Sequence, residues 1–134
     1  MAVDLVNAKK TVVFGKDSII IQKFITGIKG GRNLVLGEYP LDVISAGHIV
    51  ITDGNGTYKP MPLKAKVGGG YEYDSLPSEH TYVGVVYRSV SKELPMASIM
   101  TEGQVNEVAA PYEVPAAFKT ACPLIEFIKD EASV

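Results

Sequence analysis

The stretch that most constrains the fold is His48 to Met61, "HIVITDGNGTYKPM". Its β-branched run, Ile49-Val50-Ile51-Thr52, favours extended backbone. The run meets Asp53-Gly54-Asn55-Gly56, and Thr57-Tyr58-Lys59 leads away again. Asp-Gly and Asn-Gly steps readily supply the positive φ angles that tight hairpin turns need. The stretch therefore predicts a β-hairpin, and with it a sheet large enough to bury one.

The neighbouring segments follow the same pattern of short strands and turn residues. "NLVLGEY" stops at Pro40, which cannot donate to a ladder and so ends a strand or sits at an edge. "TYVGVVYRSV" reads as a buried strand, and "ELPMASIMT" as another that enters after a proline and stops at Thr101-Glu102-Gly103. "KVGGGYEYDSLPSEH" reads as a surface loop. Helical spacing appears once at useful strength, in "VPAAFKTACP", where Val114, Phe118 and Ala121 or Cys122 share one face. Pro115 suits a first turn and Pro123 forbids continuation. "LIEFI" closes as a final strand before the polar tail "KDEASV". The expected fold class is mainly β: a small β-barrel or β-sandwich-like domain with one short helix near the C-terminus.

The 134 residues suit one domain with a real core. We place a soft boundary at the turn signal "KGGRN": an N-terminal arm or hairpin over 1–31, a β-rich body over 32–129, and a tail over 130–134. In residues 11–28 the β-branched run Ser18-Ile19-Ile20-Ile21 favours extended backbone, and two readings stay open. One is an ordinary edge strand; the other is an apolar arm that pairs with the edge of another chain. The arm residues are Val12, Val13, Phe14, Ile19, Ile20, Ile21 and Phe24, guarded by Lys9, Lys10, Lys16 and Lys23.

Several chemistries find little support. A net charge of -2 with sparse basic pairs gives no concentrated basic face for nucleic acid. No apolar run approaches the roughly 18 residues that span a bilayer, and the first ten residues lack a secretory h-region, so a soluble protein is expected. One cysteine, Cys122, excludes an internal disulfide framework. It reads as a small core hydrophobe, with no histidine nearby to make it a nucleophile. His48 and His80 are the only histidines, and no ligand spacing suggests a metal. His48, just before a strand, reads as a capping or turn residue. Gly30-Gly31 and Gly68-Gly69-Gly70 lack the Lys-Ser/Thr of a phosphate loop. Glu102 and Glu107 raise the question of a paired-carboxylate hydrolase, which needs carboxyls roughly 5 to 10 Å apart around a cleft. The plainer reading is a structural corner of Thr101, Glu102, Gly103 and Asn106, bent at glycine and tied by asparagine. No catalytic residue and no cofactor is expected.

The order of pieces resembles the tailed-phage head decoration family, including the lambda head decoration type and the head-fibre proteins of Bacteroides phages. The residues that carry the resemblance are "VISAGHIVITDGNGTYKPMP", "YVGVVYRSV", "PMASIMTEGQVNEVAAP" and "FKTACPLIEFI". The resemblance implies a non-enzymatic homotrimer, made in the bacterial cytoplasm, that cements major capsid proteins on the virion exterior. It also implies an N-terminal arm that orders against a capsid strand. The alternative is a small binding module for carbohydrate or a host surface, using Tyr71, Tyr73 and Tyr82.

Overall fold

The computed structural model describes residues 17–131. In chain order the elements are α1 (Asp17–Ile20), β1 (Ile21–Gly27), β2 (Arg32–Asn33), β3 (Val43–Ile44), β4 (Ile49–Thr52), β5 (Tyr58–Pro60) and β6 (Leu63–Ala65). They continue with β7 (Tyr71–Tyr73), β8 (Thr81–Val86), β9 (Val90–Ser91), β10 (Met96–Ala97), β11 (Ile99–Asn106), α2 (Ala116–Ala121) and β12 (Ile125–Ile128). The protein is mainly β, with a short helix near its C-terminus.

The main sheet has the order β1-β11-β8-β4-β5, with β12 alongside β11. It does not close into a barrel; β1 and β5 stand at its two ends. Three two-stranded ribbons, β2–β10, β3–β9 and β6–β7, complete the structure. The expected hairpin is β4–β5, in register Ile51↔Lys59 and Thr52↔Tyr58. Its turn uses Gly54 and Gly56 at φ near 86° and 84°, and Asp53 Oδ1 accepts the Asn55 N–H at 2.8 Å. Pro60 is tolerated because, among the described residues, β5 ends the sheet and meets only a single bridge beyond it, Leu34 to Tyr58.

Period-2 alternation divides the core between the two faces of the sheet. Ile49, Ile51, Val85 and Met100 face one cluster with Ile20, Ile21, Phe118 and Ile125, contributed by α1, β1, α2 and β12. Val50, Val86 and Ile99 face the other, with Leu34, Tyr39, Ile44 and Ala97. Burial on both faces explains why β4 and the end of β8 read as continuous apolar runs.

β11 is the spine. One edge pairs antiparallel with β1, from Ile21↔Val105 to Gly27↔Met100. The other edge is shared: β8 takes Ile99 and Met100, and β12 takes Gly103 to Asn106 in parallel. Two glycines make these approaches possible. A Cβ at Gly103 would overlap the Lys23 carbonyl oxygen, and one at Gly84 the Met100 carbonyl oxygen.

Three expectations are corrected, and one open reading is decided among the described residues. Thr101-Glu102-Gly103 is no corner: the chain runs straight through it in β11, and Gly103 serves close packing rather than a bend. Ser18-Ile19-Ile20 is a helical turn, because the Asp17 carboxylate is fixed by Ser89 and local β-propensity yields to that contact. The segment after Lys66 is not wholly loop, since Tyr71–Tyr73 returns as β7 against β6. Residues 21–27 are laid into the main sheet as its edge strand, the first of the two readings left open above.

Candidate functional surface

β1 carries the most distinctive surface. Its inner edge is satisfied by β11, and among the described residues no strand pairs with its outer edge. Gln22 to Thr26 are all exposed. Phe24 and Ile25 are 42% and 50% accessible, unusual for side chains of this size in a sheet. The Phe24 ring lies 4.6 Å from that of Tyr87, over which the Arg88 guanidinium sits at 4.8 Å. From Ile21 to Arg32 the sequence holds Lys23, Lys29 and Arg32 and no acid, within a chain of net charge -2. The result is an exposed apolar edge that carries Lys23, while Arg32 lies over the Tyr58 ring of β5 at 5.5 Å and Glu102 of β11 stands opposite Thr26. Register shifts between Ile21 and Lys23, and again beyond Phe24, make the edge irregular, which together with Lys23 discourages indiscriminate pairing.

The arm residues separate accordingly. Ile20 and Ile21 are buried in the core and Ile19 is half-buried, so none of them is an available docking side chain. Phe24 remains on the surface, joined by Ile25, which the sequence reading left out. Val12, Val13 and Phe14 lie outside the described residues.

The carboxylate pair is not assembled. Glu102 sits mid-strand opposite Thr26. Glu107 lies just past the end of β11 and accepts from Lys119 Nζ at 2.7 Å, with Lys129 Nζ at 3.9 Å. Lys119 also lies 5.3 Å from the Phe127 ring. Asn106 does tie the chain, as a buried clamp between strand ends. Its Oδ1 accepts the N–H groups of Val108 and Asp130, and its Nδ2 donates to the Asp130 carbonyl.

His48 is corrected as well, from a turn residue to a fully buried one. Its Nε2 is 2.9 Å from the Met61 carbonyl oxygen, which requires the proton on Nε2. Nδ1 then has no partner. The rings of Tyr39, Tyr73 and Tyr112 meet it edge-on at 5.6, 5.3 and 5.6 Å. Burial lowers the His48 pKa to about 4 and pushes the three tyrosines up. With no nucleophile against it, this neutral imidazole is a packing element. Nothing in the sequence around "AGHIV" distinguishes it from an exposed histidine.

The tyrosines of the carbohydrate reading differ in exposure and surroundings, although Tyr71 and Tyr73 stand two apart in β7. Tyr73 lies against His48, Tyr82 packs edge-on to Phe118 at 5.3 Å, and Tyr71 is exposed. Cys122 is half-buried beside the core, where burial raises its pKa. Among the described residues no three His, Cys, Asp or Glu side chains gather closely enough to hold a metal ion, and no helix is long and apolar enough to cross a membrane. Comparison with protein-family models, curated proteins and solved structures finds no match to this chain.

Proposed function

We propose that the protein is a structural subunit without catalytic activity, which covers and joins protein surfaces as a head-decorating or head-fibre homotrimer on a phage capsid. The observation that carries this reading is the outer edge of β1, where, among the described residues, no strand pairs with the backbone beside exposed Phe24 and Ile25. An added strand from the major capsid protein would satisfy that backbone and bury those side chains. Each such contact is modest. A trimer that bridges several capsid subunits multiplies it through effective concentration. Lys23, in the exposed stretch of this edge, favours an acid on the partner strand and disfavours pairing between two copies of β1.

The test is co-sedimentation of the purified protein with expanded heads and with procapsids, alongside its mass in solution. Binding to expanded heads as a trimer supports the reading. A monomer that binds neither form would overturn it.

A further inference from the structure

A cleft of about 410 Å³ opens between residues 35–40, the passage from β5 into β6, and residues 74–77. None of its lining residues belongs to β1, and the decorating role does not use it. Its volume falls within the range of about 300–1,000 Å³ typical of small-molecule sites. Leu36, Pro60, Pro62, Leu63 and Pro77 form apolar walls, the largely buried Tyr39 adds a small share of the lining, and Glu38, Lys59 and Asp74 supply charge.

The polar groups are held in place. His80 Nδ1 is 2.8 Å from the Ser78 carbonyl oxygen, so Nδ1 carries the proton. Nε2 therefore accepts from Lys59 Nζ at 3.1 Å. That bond fixes the ammonium and uses one of its three donors. Asp74 Oδ1 accepts the Ser75 N–H at 2.7 Å, and the Asp74 backbone N–H bonds the Pro62 carbonyl. Prolines with fixed φ stiffen the walls, so little order has to be gained on binding.

The signs of the charges narrow the ligand. A simple anion would meet Lys59 but face Glu38 and Asp74, and a simple cation would meet the reverse. A neutral polyhydroxylated molecule suits all three. Its hydroxyls donate to the carboxylates and accept from the ammonium, while its C–H faces lie against proline and leucine. We propose that this cleft binds a neutral sugar, a mono- or disaccharide or the end of a glycan.

The probe is a panel of glucose, galactose, mannose, N-acetylglucosamine and their disaccharides, titrated into the ¹⁵N-labelled protein. At least one should give saturable amide shifts confined to residues 35–40, 59–63 and 74–77. Lys59→Met and Asp74→Asn should each weaken that binding about ten-fold or more, as expected for losing a hydrogen bond to a charged group. Asp74 is exposed, so its variant keeps the fold and the comparison stays readable. The proposal is overturned if no sugar shifts these amides, if the shifts map to Tyr71 instead, or if glycine and alanine reproduce them while sugars do not. Head binding is read separately and should not change in either variant.

Discussion

Asp17 accepts two hydrogen bonds from Ser89, from its backbone N–H at 2.8 Å and its hydroxyl at 2.6 Å. The same hydroxyl oxygen accepts the Ala46 N–H at 2.9 Å. One carboxylate thus fixes the turn that delivers Ile20 and Ile21 to the core and aims β1 along β11.

Asp17→Ala should therefore destabilise the protein by about 2 kcal/mol, the scale of hydrogen bonds to a charged group. Amide exchange should accelerate first in residues 17–27. Denaturant unfolding with exchange mass spectrometry checks both, and unchanged protection in β1 would refute the anchoring role.

Removing residues 1–28 should destabilise the whole fold, because it strips Ile20 and Ile21 from the core and uncovers one edge of β11. A thermal melt of the truncation against the full chain distinguishes an inserted strand from a dispensable arm.

Gly103→Ala should be among the most damaging single changes. Its methyl would meet the Lys23 carbonyl oxygen, and Met100 Sδ at 2.5 Å, so β1 and β11 must part. A loss of several kcal/mol is expected, in the range of overpacked cores. Gly54→Ala has open space and only a positive φ to resist it, and should cost about 1 kcal/mol. Equal costs at the two sites would contradict the spatial role assigned to Gly103.

His48 makes stability pH-dependent. Its folded pKa, lowered by burial to about 4, lies below the unfolded value of about 6.5. Between these limits the unfolded chain binds a proton that the folded chain excludes. The contribution is complete above about pH 6.5 and is lost progressively towards pH 4, by up to about 3 kcal/mol. The surrounding tyrosines stay neutral throughout that window, their pKa values having been raised. His48→Phe should flatten the profile between pH 7 and pH 4 whatever its absolute stability. An unchanged slope would remove His48 as its source.

Ile25→Glu should abolish head attachment and spare the melting temperature, since Ile25 is half exposed and belongs to neither core cluster. It places a charge where the added strand is proposed to bury an apolar side chain. Co-sedimentation and a thermal melt on the same sample decide the matter. Retained attachment would move the contact elsewhere.

What could be read from the sequence was what short-range chemistry determines. The β4–β5 hairpin depends on Asp53 to Gly56, and α2 on Pro115 and Pro123, all within a few residues of the elements they shape. The misreadings at Gly103 and at Ser18 to Ile20 share one cause, which is tertiary partners far along the chain. Gly103 looked like a breaker because Lys23, whose carbonyl it accommodates, is remote in sequence. Ser18 to Ile20 looked extended because Ser89 was out of view. The parallel seat of β12 on β11 follows from no local pattern, and the cleft draws on three separate segments.

The placement of β1 also has a consequence during synthesis. Ile21 has no ladder partner until Val105 has left the ribosome, and most of the chain is made in between. For that interval a greasy ribbon travels alone, exposed to other nascent chains. Lys23 and the nearby Lys29 then serve as an escort, keeping the segment single until the strand it belongs to arrives.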